Sequence, residues 1–232
     1  MGEVVAFGRQ VEAEHPHGES EHQAKSSWCT ALPVLAVGEV VLREVRESDA
    51  PALVLHLTTP EITRFISPPP STVDGFEEFI AASQRARAGG EGACFAVTLR
   101  DLDTAIGLFQ VRLTSSAEND ANQFTGVRDS AEWGFAVATP YWGTGIFMRG
   151  AGLVLDFVFE QMRVHRLEAR CALKNGRGGK ALVKVGAVPE GILRKAFTCG
   201  DGHLDQVLYA IVDQDWRALR DRTRPTDVAF VH

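Results

Sequence analysis

The sequence predicts a mixed α/β fold, a sheet carrying helices on its faces. Segments dense in β-branched residues alternate with segments whose apolar residues recur at helical spacing, in the order β, α, α, β, β, β, α, β, α, β, β. Residues 132–138 form a strand almost free of polar interruption, as a strand covered on both faces would be. That strand leads through Gly143 and Gly145 directly into an amphipathic helix.

Taken in order, Val40, Val41, Leu42 and Val45 read as the first strand. Ser48-Asp49 offers an N-cap to a helix carrying Leu53, Val54 and Leu57. Pro68-Pro69-Pro70 forces an extended break, after which Ser71 or Thr72 caps a helix holding Phe76, Phe79 and Ile80 and ending at Gly89-Gly90. Residues 94–99 and 106–113 are strands joined at Asp101-Leu102-Asp103, and the polar stretch 115–130 is a loop. The helix after Gly145 runs to about Met162, with Arg149, Asp156, Glu160 and Arg163 on a polar stripe and Leu153, Val154, Phe157 and Val158 inward. A strand over 166–173, a short helix over 180–185 ending at Gly186, and a hairpin of 191–197 with 204–212 complete the pattern.

Residues 1–37 are polar, with no clear periodicity, and are expected to be a flexible arm before a domain at 38–220 and a tail at 221–232. His15, His17 and His22 lie in that arm as solvent-exposed side chains, and no metal site is expected. The composition, 45% hydrophobic and 23% charged, is that of a globular domain. A net charge of −6 argues against a general nucleic-acid binder while leaving room for one anionic ligand at a local positive site. No apolar run approaches the ~20 residues of a membrane span, so no membrane partner is expected. Residues 1–10 lack a secretory pattern, and Cys29, Cys94, Cys171 and Cys199 form no CxxC pair; both point to a cytoplasmic protein with reduced, mostly buried thiols.

The turn Gly143-Thr144-Gly145 carries the chemistry. Backbone N–H groups in the first turn of a helix have no internal partner, and the helix dipole adds partial positive charge there. Glycines admit an anion close to the backbone, and Thr144 adds a hydroxyl donor. The same residues also suit a tight strand-to-helix turn with no ligand. A dinucleotide GxGxxG would need glycine at Met148. A P-loop ending at Gly178-Gly179-Lys180 fails at Lys174 and Ala181, so NAD and ATP are poor candidates.

An ordered series of segments resembles the GNAT acetyltransferases, and within them the RimJ/RimL-like branch that acetylates ribosomal-protein N-termini. It comprises Glu132-Trp133-Gly134-Phe135-Ala136-Val137, Tyr141-Trp142-Gly143-Thr144-Gly145, His165-Arg166-Leu167-Glu168-Ala169-Arg170, Asn175, Gly186-Ala187, Glu190-Gly191-Ile192-Leu193-Arg194 and 201–209, spanning roughly Gly38 to Trp216. The resemblance implies a mostly antiparallel twisted sheet and an N-acetyltransferase that moves acetyl from acetyl-CoA to a primary amine by direct attack. It implies that Phe135, Ala136 and Val137 pair with the pantetheine amides and that Trp142, Gly143, Thr144, Gly145, Ile146 and Phe147 wrap the pyrophosphate. It also implies that Asn175 contacts the pantetheine near the thioester and that Glu132 deprotonates the amine. Backbone N–H groups beside Val137 would polarise the thioester carbonyl.

Departures from that pattern are Pro140 where the loop usually opens with Gln or Arg, Gly178 in place of a serine, and Leu182 and Ala187 in place of a tyrosine acid and a phenylalanine. Tyr141 and Tyr209 are the remaining phenols, and each has packing or loop structure as its plainer role. The missing side chains favour an alternative, an acyl-CoA-binding sensor or partner module; Glu132 and the intact loop favour the enzyme. The acceptor, a peptide N-terminus or a small-molecule amine, has no readable code in 114–130 or in the first two helices, and neither monomer nor homodimer is indicated.

Overall fold

The computed structural model describes residues 27–114, 130–199 and 202–223. The elements are α1 (Ser27–Thr30), β1 (Leu35–Val37), β2 (Val40–Glu44), α2 (Ala50–Leu57), α3 (Pro60–Thr63), α4 (Val73–Gly89), β3 (Gly92–Leu99) and β4 (Leu102–Thr114). They continue with β5 (Ser130–Val137), α5 (Ile146–Phe157), β6 (Arg166–Ala172), α6 (Gly176–Lys184), β7 (Val188–Cys199), β8 (Gly202–Val212) and α7 (Asp213–Thr223). The strands form one sheet in the order β1-β2-β3-β4-β5-β6-β8-β7. Every neighbouring pair is antiparallel except β5 and β6, which are parallel.

Period-2 alternation assigns the strand residues to two cores. Phe95, Val97, Phe109, Val111, Trp133 and Leu167 pack with α5, with Leu182 of α6 and with Trp216 of α7. Cys94, Ala96 and Leu108 pack on the other face with Leu53 and Leu57 of α2, Ile62 of α3, and Phe76 and Ile80 of α4. Helices therefore cover both faces, as the pattern predicts. The strand buried on both sides is β3, whose residues are buried from Gly92 through Thr98, and not 132–138. In β5, Gly134 is exposed and Phe135 and Ala136 are half-buried. Its continuous apolar character serves an open cleft instead of a second layer of helices.

The described fold starts at Ser27, ahead of the boundary expected near Gly38. Trp28 is buried edge-on to Phe157, Arg87 donates to the Cys29 carbonyl, and Leu35–Val37 pairs with β2. The arm histidines, the loop 115–129 and residues 224–232 lie outside the described residues.

Asp49 does not cap α2 with its side chain. Its carboxylate instead receives both terminal nitrogens of buried Arg43 at 2.8 Å and the Arg46 N–H. Thr72 does cap α4, accepting from Gly75 N–H at 3.1 Å, and Gly90 closes that helix with φ 71°. Beyond Phe157 the helix widens into a π turn over Val158–Met162 and stops at Arg163, φ 57°. The hairpin after Gly186 is present, longer than expected, and α7 follows it.

Candidate active site

The parallel pairing of β5 and β6 covers Ser130↔Arg166, Ala131↔Leu167 and Glu132↔Glu168, and then stops. From Trp133 to Val137 the edge of β5 that faces away from β4 has no strand beside it. A main chain left without a ladder partner is a ready partner for the amides of an extended ligand. A cleft of about 880 Å³ opens at this divergence, within the range of small-molecule sites. Phe135, Ala136 and Val137 form its floor, Tyr141, Trp142, Gly143, Gly145, Phe147 and Met148 one wall, and α6 with Lys174 and Asn175 the other. Glu61, Ile62, Arg64, Phe65 and Ile66 also line it.

The glycine turn has the geometry an anion needs. Gly143 and Gly145 adopt φ 79° and 88°, a region that side-chain-bearing residues rarely occupy. The first intrahelical bond runs from Arg149 N–H to the Gly145 carbonyl. From Gly143 to Met148, no backbone N–H donates to an oxygen among the described residues. These free donors gather at the N-terminus of a helix of twelve residues, where the dipole adds to their pull on an anion. Trp142 holds the turn down, its indole N–H donating to the Val137 carbonyl at 2.7 Å. Gly150 lets α5 lie directly on the sheet, since a Cβ there would come within 2.7 Å of the Phe109 ring.

Two residues of the expected pyrophosphate loop keep their side chains out of the cleft. Thr144 donates its hydroxyl to the Tyr141 carbonyl at 2.8 Å, so it braces the turn instead of offering a donor to a ligand. Ile146 is buried in the core with 3% exposure, because it is the first inward residue of α5. Neither lines the cleft.

Asn175 does line it, and its side chain caps α6 by accepting from Gly178 N–H at 3.0 Å. This cap starts α6 at Gly176, ahead of the expected start at Lys180, despite glycines at 176, 178 and 179.

Glu132 stands at the last parallel pair, where the two strands part, and does not line the cleft. Its carboxylate lies 3.5 Å from Arg112 and 3.8 Å from Arg170, both more exposed than it is. Neighbouring Glu168 is paired with Arg166 at 2.8 Å, and Arg166 also holds Glu190.

Tyr209 is the residue the sequence pattern undervalued. A Cβ at Gly179 would come within 2.8 Å of its hydroxyl, and a Cβ at Gly178 within 2.9 Å of the Cys171 sulfur. The glycines that weaken the start of α6 thus make room for a phenol and a thiol beside the cleft wall. The signal was the glycine run itself, which a freestanding helix would not favour. Partial burial first, then the neighbouring Cys171, raises the Tyr209 pKa above its ordinary value, and burial likewise raises that of Cys171. Both groups stay protonated at neutral pH. Leu182 is a core residue with 1% exposure. Among the described residues no cluster of His, Cys, Asp and Glu suits a metal ion, and no helix is long and apolar enough to cross a membrane.

Residues 39–188 match the model of the acetyltransferase (GNAT) domain. Among curated proteins, the uncharacterized N-acetyltransferase YnaD of Bacillus subtilis is 24% identical over 177 residues, 76% of this chain and 95% of that protein. Among solved structures, the ribosomal-protein-S5-alanine acetyltransferase of Vibrio fischeri aligns with a TM-score of 0.68 at 18% identity, covering 79% of this chain and 98% of that one. Mycobacterium smegmatis RimJ, solved in complex with CoA-disulfide, aligns with a TM-score of 0.66 at 22% identity, covering 80% and 90%.

Proposed function

This chain belongs to the GNAT acetyltransferases, acetyl-CoA-dependent acyltransferases, and on that premise we propose that it passes acetyl to a primary amine by direct attack in a ternary complex. The observation that carries this reading is the row of free N–H groups from Gly143 to Met148, opening onto the unpaired edge of β5. One end suits a pyrophosphate and the other an extended amide arm, and both line the same cleft.

The chain's own groups divide the work. Gly143, Gly145 and Phe147 hold the pyrophosphate through backbone N–H groups. Phe135, Ala136 and Val137 align the pantetheine, which fixes the thioester between β5 and β6 and converts an encounter into a positioned attack. Backbone N–H groups on that edge stabilise the negative charge that grows on the carbonyl oxygen. Glu132, beside the divergence, takes the proton from the amine, directly or through a water. Tyr209, protonated and beside the α6 wall, supplies a proton as the thiolate departs. A thiol of pKa about 8.5 is a good leaving group, so this last step contributes less than the others.

The acceptor is a protein or peptide N-terminus or a small-molecule amine. An α-amine, with a pKa near 8, is partly neutral at neutral pH, whereas a lysine side chain near 10.4 is not; that favours the α-amine. The test follows free thiol released from acetyl-CoA against a panel of N-terminal peptides and small amines. Amine-dependent release is expected, at its fastest with an α-amine. Failure of any amine to accelerate release, with cofactor binding intact, would leave the protein a CoA binder.

A further inference from the structure

We propose that α6 forms a second phosphate subsite, in which Lys180 and Lys184 hold the 3′-phosphate of CoA and make the protein select CoA over its 3′-dephospho form. The proposal rests on the reading of the cleft as a CoA site.

The wall that α6 presents is cationic and uncompensated. Lys174, Arg177, Lys180 and Lys184 all line the cleft, where Glu61 is the carboxylate among the lining residues. None of the four forms a salt bridge among the described residues. Arg43, Arg149 and Arg166 each have a carboxylate within bonding distance, and the net charge of the whole sequence is −6.

Lys180 and Lys184 stand four residues apart on one helix face, an arrangement in which like charges destabilise a helix. The helix already carries three glycines in its first turn. Lys184 in the last turn gains from the helix dipole, but the dipole explains neither Lys180 nor the direction both share toward the cleft. A dianionic group between them removes the repulsion.

The pyrophosphate does not need these two lysines. The free N–H groups of the glycine turn face it, and Arg177 sits over the Trp142 ring at the same end of the cleft. At about 1.5 Å per residue, Lys180 lies about 4.5 Å and Lys184 about 10 Å further along the helix than Arg177. The cationic stripe thus extends past the pyrophosphate end, toward where a second phosphate on the same nucleotide would lie. A phosphomonoester carries about −1.5 to −2 at neutral pH, more than each phosphate of a pyrophosphate diester, and lysine binds it as a point charge.

The test compares the affinities of CoA and 3′-dephospho-CoA for the parent and for the double variant Lys180→Ala/Lys184→Ala, with circular dichroism to verify folding. The parent should prefer CoA by about ten-fold or more at low salt, with the preference shrinking as salt rises. In the double variant the ratio should fall toward one. Equal affinities in the parent, or a preference that survives in the variant, would overturn the proposal and leave the CoA reading standing. A raised KM for acidic peptide acceptors with an unchanged nucleotide ratio would overturn it too, by giving the lysines to the acceptor. Binding of neither nucleotide to the parent would instead strike the CoA reading itself.

Discussion

The Arg177 guanidinium lies 3.8 Å from the centroid of the Trp142 ring. This contact joins the glycine-turn wall of the cleft to the α6 wall, since Trp142 is tied to β5 through the Val137 carbonyl. It holds a cation in place beside the free N–H groups before any ligand arrives. Arg177→Ala should weaken CoA binding about ten-fold while lowering stability by ~1 kcal/mol or less, the usual scale of an exposed cation–π contact. Arg177→Lys, which keeps the charge but loses the planar stack, should fall between parent and alanine. Titration calorimetry with CoA checks the order; alanine binding as tightly as the parent would remove Arg177 from the site.

Gly143→Val and Gly145→Val should abolish CoA binding and leave a folded domain. Space is not the obstacle: nothing lies within 4 Å of a Cβ at Gly143, and the nearest neighbour at Gly145 is the movable Arg149 guanidinium. The obstacle is φ of 79° and 88°, which costs a β-branched residue about 1–3 kcal/mol and is escaped by rotating the N–H groups out of line. Thermal melts with and without CoA measure both effects. An unaltered shift on adding CoA in both variants would place the pyrophosphate elsewhere.

Glu132→Gln should leave acetyl-CoA affinity near parental and lower turnover by about 10²- to 10⁴-fold. The deficit should narrow as pH rises, because more of the amine is then neutral without a base. The arginines at 3.5 and 3.8 Å offer a competing account, in which Glu132 only anchors charge across β4, β5 and β6. That account predicts lowered stability and a deficit equal at every pH. Turnover measured against pH, with melts alongside, separates the two.

Folding stability should decline between about pH 9 and pH 12. Burial pushes the Cys94 thiol up to about 12 from a reference value of 9.0. Above the reference pH the unfolded chain loses this proton while the folded chain keeps it. The stabilisation is therefore complete below pH 9 and is lost as pH rises, by up to about 1.4 kcal/mol per unit. Cys94→Ala should flatten this limb in denaturant titrations; a limb of unchanged slope would assign the loss to other groups.

The sheet, the helices on both its faces and the glycine turn were legible because each rests on local pattern: period 2, period 3.6, and two glycines at a strand-to-helix junction. What the pattern missed depends on partners distant in sequence. Trp28 looks like part of a polar arm until Phe157 covers it. The 132–138 run looks doubly covered because an apolar cleft floor and an apolar core select the same residues. Asp49 looks like a cap, but buried Arg43 claims it from the strand before. Thr144 looks like a ligand donor, and its nearest acceptor turns out to be the Tyr141 carbonyl. The glycines at 178 and 179 read as helix weakness and prove to be space for Tyr209 and Cys171.

The three-pair junction between β5 and β6 also bears on cooperativity. On one side β1 to β5 form a continuous ladder, and on the other β6, β8 and β7 form a second. Few main-chain bonds cross between them, so side-chain packing of Leu167 and Ile211 with Phe95 and Phe109 carries the coupling, and the two ladders should exchange their amides as separable units. A ligand whose amides bond to β5 while its 3′-phosphate rests on α6 would be a cross-link between those units. Occupancy would then slow exchange throughout β8, at amides that never touch the ligand.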